Sequence, residues 1–427
     1  MTGDPVQVLV DRDAIHDIMM RYAHGVDQRE MEIVRGCFAP DLVTVGWGGG
    51  ADSLDRDALI RFISGVGHFR ETMHMMGNQL IEVDGDSASM DTFAQLTHRL
   101  DDDSDKLLVS SRYVEKLTRR DGEWAITQRG GEPAWGPNGV TELDSDDPAV
   151  RWLLDRAEIR DAVVRDTVVS DTRVTNRVRN LLGTRLVTVE GDEAWAESYA
   201  LVTPVPEGEE RGRPADVITP QRWTDHLVRA NGHWQLAGRE IDGPGRFGAL
   251  PIPPATDDPR VRALLDRAMI LDVVTGLSYA IDHRDESLVR GCVSPDVTVG
   301  EAEIGVVTGV DALLDVLRST MWAMDGTWLF MNNHLVEISG DAARVQSYVF
   351  IIERPAGASE PNSWTEGACR FIDRLERDGD GWRMLERRVE DNMMPDDKVM
   401  QRPQGEKGIE AMTRRAQERA RQKTGEQ

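Results

Sequence analysis

Apolar residues recur near the start of the chain at the spacing of a helix. Ile15, Ile18, Met19, Tyr22 and Val26 share one face of a 3.6-residue repeat. The stretch from Gln28 to Phe38 reads as a second, short helix ended by Pro40, since proline cannot continue a helix. The pattern then changes to alternation. Leu80 to Val83, Ala88 to Leu96, Leu107 to Leu117 and Trp124 to Gln128 read as strands, with turns at Asp84-Gly85-Asp86 and Arg120-Asp121-Gly122. Helices followed by a run of antiparallel strands define an α+β class.

The same pattern returns twice. Residues 146–161 (DDPAVRWLLDRAEIRD) and 257–272 (DDPRVRALLDRAMILD) agree at twelve of sixteen positions at a constant offset of 111. A weaker copy sits at the N-terminus, where Asp11-Arg12, Ile15 and Asp17 match Asp155-Arg156, Ile159 and Asp161. The first and last thirds stay in register at an offset of 255: Asp27 pairs with Asp282, Arg35–Asp41 (RGCFAPD) with Arg290–Asp296 (RGCVSPD), and Asn78 with Asn333. Arg112, Arg222 and Arg370 each precede a hairpin turn and then Trp124, Trp234 or Trp382, with Arg129, Arg239 or Arg387 five residues on. The middle copy passes almost directly from its helix to Leu186–Asp192 and omits the RGCFAPD segment, so it is truncated. The expected organisation is 1–145, 146–255 and 256–395, followed by a charged helical tail at 396–427. Gly- and Pro-rich linkers fall at 130–148 and 242–259.

Composition narrows the chemistry. The formal charge is −25, from 50 Lys+Arg against 75 Asp+Glu, which argues against nucleic acid and anionic membrane surfaces as partners. No lysine lies between Lys116 and Lys398, which excludes Schiff-base chemistry over the middle of the chain. The three cysteines, Cys37, Cys292 and Cys369, are too few for a disulfide framework or zinc cluster and fit a reducing compartment. With no apolar run of ~18 residues and an acidic start lacking a signal-peptide n-region, a cytoplasmic location is expected. No residue cluster has metal-ligand spacing. Gly46-Trp47-Gly48-Gly49-Gly50 lacks the following Lys-Ser/Thr of a phosphate cradle, and no Gly-x-Ser-x-Gly elbow occurs.

The runs DRDAIHDIMMRYAHGVDQREMEIVRGCFAPD, ETMHMMGNQLIEVDGDSA and SSRYVEKLTRRDGEWAITQR, in that order, resemble the SnoaL-like branch of the nuclear transport factor 2-like superfamily. The resemblance implies tandem cone-shaped α+β barrels, each a curved antiparallel sheet around helices. The first repeat is most similar to the scytalone dehydratase, bile acid 7α-dehydratase and hexachlorocyclohexane dehydrochlorinase families. These use an Asp at the end of the first helix and a His in a Thr-x-His-like stretch. The matching positions are Asp27 and His74. Tyr22 matches a tyrosine of the bile acid dehydratases, and His98 the second histidine of scytalone dehydratase. Several of these lyases are homotrimers, which implies an intrachain pseudo-trimer or a homo-oligomer.

Each residue also has a plainer role available. Asp27 with Glu30 three residues on has the form of an N-capping box for the second helix, as does Asp282 with Asp285. His74, flanked by methionines, fits an apolar core. A carboxylate partner would instead fix its tautomer and raise its basicity, as a general base requires. Tyr22 lies on the apolar stripe, about 140° round the helix from Asp27. His98 precedes Arg99 and the acidic run Asp101-Asp102-Asp103, as a strand-end surface residue would. The recurrence of Arg112 and Arg129 in every repeat favours a structural role. The third repeat keeps Asp282 but sets Leu329 against His74 and Glu353 against His98. The middle one has Asn180 at the His74 position and is read as lacking the helix-end Asp. The expectation is one active cavity, in the first repeat, with the second repeat structural and the third degenerate. It would house a cofactor-independent lyase of dehydratase type acting on a small hydrophobic cyclic hydroxy compound such as a polyketide or steroid. An isomerase or cyclase would use the same dyad, and a non-catalytic binder of lipophilic ligands the same cavity.

Overall fold

A computed structural model describes residues 4–46, 53–69, 71–99, 106–131, 143–172, 178–204, 219–301, 305–357 and 365–390. The expected tail, the Asp101-Asp102-Asp103 run and the glycine-rich stretch beyond Gly46 lie outside these. The chain lays down three sheets in succession, each behind a long helix.

The first unit opens with α1 (Pro5–Asp27). Asp4 accepts from the Val6 amide and Pro5 takes the first helical position, where its missing N–H costs nothing. Then come α2 (Met31–Gly36), β1 (Phe38–Val45), α3 (Arg56–Ile63), β2 (Glu71–Asp84), β3 (Ser87–Arg99), β4 (Lys106–Arg120) and β5 (Glu123–Gly130). The sheet order is β1-β5-β4-β3-β2. Two expectations change here. Pro40 sits inside β1, an edge strand that pairs parallel with β5, where the register breaks between Phe38 and Val43. No ladder bond is lost there. The sheet is also open, with β1 and β2 as its edges, so the expected barrel is a curved sheet that does not close.

The middle unit has one helix, α4 (Pro148–Thr172), and four strands: β6 (Val178–Glu190), β7 (Glu193–Pro204), β8 (Thr219–Ala230) and β9 (His233–Ile241), in sequential order. The third unit restores the full set: α5 (Pro259–His283), α6 (Glu286–Cys292), β10 (Val293–Glu301), β11 (Gly305–Thr308), α7 (Val310–Ser319), β12 (Gly326–Ser339), β13 (Ala342–Arg354), β14 (Thr365–Asp378) and β15 (Gly381–Glu390). Its sheet order is β11-β10-β15-β14-β13-β12, with β10 parallel to β15.

The repeated residues divide into those that hold a unit together and those that join units. Asp11, Asp155 and Asp266 each accept the indole N–H of the tryptophan in their own unit: Trp124 at 3.0 Å, Trp234 at 3.2 Å and Trp382 at 3.1 Å. Arg119, Arg229 and Arg377 close these pairs. The adjacent arginines reach outward. Arg12 pairs with Asp161 of the middle unit at 2.7 Å, Arg156 with Asp272 of the third, and Arg267 with Asp17 of the first at 2.5 Å. The first turns of α1, α4 and α5 pack together through Val6, Leu9, Val150, Leu153, Val261 and Leu264.

The strands follow the same cycle. Each sheet's first long strand is bulged at a non-glycine residue of positive φ: Asn78 (44°), Thr184 (43°) and Asn333 (54°). These side chains bond to the next unit. Asn78 accepts from the Leu182 amide and donates to Asn180 O; Thr184 accepts from the Met331 amide and donates to Leu329 O; Asn333 accepts from the Met76 amide and donates to His74 O. Approach is close enough that a Cβ on Gly77 would stand 2.7 Å from Leu182 O, and one on Gly183 2.8 Å from Met331 O. Glycine is required there by space alone.

Candidate active site

Asp27 closes α1, and its carboxylate points at the neighbouring strand β2. Oδ2 accepts the His74 backbone amide at 2.8 Å. Oδ1 accepts the Thr72 hydroxyl at 2.9 Å and faces His74 Nδ1 at 2.6 Å. Arg29 donates to Thr72 Oγ1 at 2.7 Å and to Val26 O at 2.8 Å, fixing the corner after α1. The capping role open to Asp27 in the sequence is not the one it takes. Glu30 is the N-cap of α2, while both Asp27 oxygens are engaged on β2. Asp285, not Asp282, caps α6 by accepting from the Leu288 amide.

An ionised Asp27 makes Nδ1–H the donor and leaves the Nε2 lone pair of His74 outward. Nε2 has no hydrogen bond among the described residues. Asn333 of the third unit donates to His74 O and accepts from the Met76 amide, so β2 is held from the third unit as well as by Asp27. Asp27 and His74 are buried, at 0% and 4% exposure.

His98 lies beside them and not on the surface. Its ring stands 5.6 Å from that of His74, nearly perpendicular, and stacks on Phe69 at 4.5 Å. Neither of its nitrogens has a hydrogen-bond partner among the described residues. Burial first, then the neighbouring His74, pushes it down to about 3, so it is neutral at physiological pH.

Tyr22 is placed elsewhere. Its ring packs edge-on against Phe38 and Tyr113 and under the Arg129 guanidinium at 4.2 Å. Arg129 is in turn buried against Glu115. Burial first pushes the Tyr22 hydroxyl up, with Arg129 opposing. The equivalent pairs Arg239–Asp225 and Arg387–Asp373 give this cluster the structural character its recurrence implied.

One residue at the site was not singled out from sequence. Tyr348, on β13 of the third unit, is 1% exposed and directed at Asp27. Burial first, and the Asp27 carboxylate second, push its hydroxyl well above the usual range. The hydroxyl makes no hydrogen bond within 3.5 Å among the described residues. Its positional equivalents are Phe93 and Tyr199, each opposite the bulge region of its own sheet. Tyr199, from the middle unit, stands against Asp282 in the same way. Each donor strand serves the next unit, which comparison within one repeat cannot reveal.

The third unit repeats the backbone of the site without its base. Asp282 Oδ2 accepts the Leu329 amide at 2.9 Å, the counterpart of His74. With no imidazole present, burial raises Asp282 to about 7 against the pull of Arg222. In the middle unit the offset between α4 and α5 sets Asp171 at the position of Asp282. The helix-end Asp is therefore present in all three units, contrary to the sequence reading.

Residues 7–130 and 262–388, more than half of the chain, match the SnoaL-like domain family, and the chain belongs to it. No protein of curated function matches significantly. Solved structures similar to this chain include LinA (23% identity, 30% of this chain and 87% of that one, TM-score 0.28). Kfla4162 from Kribbella flavida is 20% identical over 30% of this chain and 91% of its own, TM-score 0.28. A protein described as a candidate scytalone dehydratase from Novosphingobium aromaticivorans is 24% identical over 28% and 82%, TM-score 0.27. Among the described residues no helix is long and apolar enough to cross a membrane.

Proposed function

We propose that the first unit is a cofactor-independent lyase that eliminates water from a small hydrophobic cyclic hydroxy compound, of polyketide or steroid type. The observation that carries this reading is the Asp27–His74 pair at 2.6 Å with Nε2 left free. His74 takes a proton from the carbon next to a carbonyl. Asp27 holds the Nδ1 proton and balances the imidazolium that forms. As the carbon–oxygen bond breaks, the departing hydroxide takes a proton back from His74 and leaves as water. The site therefore ends as it began. Tyr348, neutral and unpaired, is placed to donate to the oxygen that gains charge. His98 stays uncharged and orients the substrate. Tyr22 braces the inner wall through Arg129.

In this reading residues 1–145 carry the activity, 146–255 are structural and 256–395 are degenerate. The chain is an intramolecular equivalent of a trimer. The test is a panel of cyclic hydroxy ketones assayed by mass spectrometry for loss of 18 Da, a mass set by the reaction and not by this protein. Turnover by the wild-type chain and its loss in His74→Ala is the expected outcome. Rearrangement without mass loss would assign an isomerase or cyclase to the same dyad. Ligand binding with no turnover would leave a binding protein.

A further inference from the structure

Where the three units meet, a cavity of about 190 Å³ opens beside the ring of Arg–Asp bridges, lined by residues of all three. A water occupies ~30 Å³ in the liquid, so a group of several heavy atoms fits. Of the arginines on its wall, Arg12 and Arg267 are satisfied by Asp161 and by Asp17 and Asp13. Arg160 and Arg185 have no ion pair or hydrogen bond among the described residues. Both are half-buried and line the cavity. Asp272 and Asp13 act on Arg160 and Asp161 on Arg185 only at a distance. Removing a guanidinium from bulk water without a directly bonded counter-charge is costly, and here two share one space.

The two imidazoles on the same wall register that surplus. His16 bonds Gln79 through Nδ1 at 2.6 Å, and His334 bonds Ser347 at 2.8 Å. Burial first, then Arg267, pushes His16 down to about 4. Burial, His16, Arg185, Arg267 and Arg160 push His334 down to about 3. Arg160 falls to about 10, through burial and then Arg156, with Asp272 opposing, Arg185 adding to the fall and Asp13 opposing it.

Charge enters by departure from the repeat. Arg160 stands where α1 has His16 and α5 has Leu271. Arg185 stands where β2 has Gln79 and β12 has His334. The middle unit, which lacks the dyad's imidazole, supplies both cations that make no direct ion pair among the described residues.

We propose that this cavity is a binding site for a small doubly charged oxyanion, held between Arg160 and Arg185. The anion is a free inorganic ion or the phosphate or carboxylate group of a compact metabolite. The site is separate from the Asp27–His74 pair and does not depend on the activity proposed for it.

The probes are inorganic phosphate, sulfate and succinate, titrated calorimetrically into the full chain at pH 7 and constant ionic strength. One anion per chain should bind. Arg160→Gln and Arg185→Gln should each weaken it at least ~10-fold, the loss of one charge-assisted contact, while folding as well as wild type. Thermal melts of the wild type supply a readout that needs no variant: saturating anion should raise Tm where equal chloride does not. Leu271→Glu places an internal carboxylate on the same wall and should raise Tm while abolishing the phosphate response. Preference for phosphate and sulfate over succinate would assign a tetrahedral oxyanion, and the reverse a dicarboxylate. No heat and no anion-specific Tm shift with any of the three would overturn the proposal, as would affinity unchanged in both arginine variants.

Discussion

The first and third units place the same carboxylate in the same backbone and give it opposite fates. Asp27 and Asp282 each end a long helix and each accept the amide of the residue opposite. In the first unit that residue is His74, and the carboxylate also holds Thr72 and the imidazole. In the third it is Leu329, and the carboxyl is driven to about 7 by burial. One side chain separates a carboxylate engaged on both oxygens from one that spends much of its time protonated. The backbone builds the socket; the occupant of one strand position decides whether it holds an imidazole.

The sharpest way to break this comparison is at the base itself. His74→Ala should lower kcat/KM on an elimination substrate by about 10²–10⁴-fold, read as steady-state product formation. Equal rates in both proteins would remove the distinction between the units.

Next in size is a pair of matched substitutions. Asp27→Asn loses the charge that receives Thr72 and His74, and should cost roughly 2–4 kcal/mol of unfolding free energy. Asp282→Asn should do the reverse above neutral pH. The folded chain binds the Asp282 proton more tightly than the unfolded chain, so wild-type stability on this account falls as pH rises from 3.8 to about 7. The variant has no such fall. Its advantage should be absent below pH 4, grow across that window and level off at about 4 kcal/mol. Urea unfolding at several pH values checks both, and a pH-independent difference for Asp282→Asn would contradict the assignment.

A smaller effect tests the clamp. Asn78→Ala and Asn333→Ala each remove two hydrogen bonds between units and should cost about 1–3 kcal/mol. Both loosen β2, but Asn333 bonds His74 O itself while Asn78 lies four residues further along the strand, so Asn333→Ala should depress kcat the more. Smallest is Tyr348→Phe. Loss of one neutral donor should reduce turnover by roughly threefold to tenfold with little change in stability, since the hydroxyl makes no hydrogen bond within 3.5 Å among the described residues.

Much of this was legible in the chain. The offset of 111 between the DDP-initiated helices and the 255-residue register of RGCFAPD with RGCVSPD gave the number and order of units. Asp27 and His74 were readable because the carboxylate and the Thr-x-His strand stand at family spacing. Other features were hidden for physical reasons. Pro40 signals a helix stop and an edge strand equally well. His98 precedes a charged run yet turns inward, because strand side chains alternate faces. Asp171 was missed although the offset locates it, since its unit lacks the segment that follows. Tyr348 could not be found within its own repeat, because the residue it serves is 321 positions away in the chain.

The ring of Asn78, Thr184 and Asn333 is closed within one polypeptide. Three separate subunits held by such contacts would come apart on dilution, since their association depends on concentration. Here each partner is tethered at an effective concentration set by a short linker. The melting temperature should therefore stay constant as the protein is diluted, and the clamp on His74 should persist at the lowest concentration at which the chain is made.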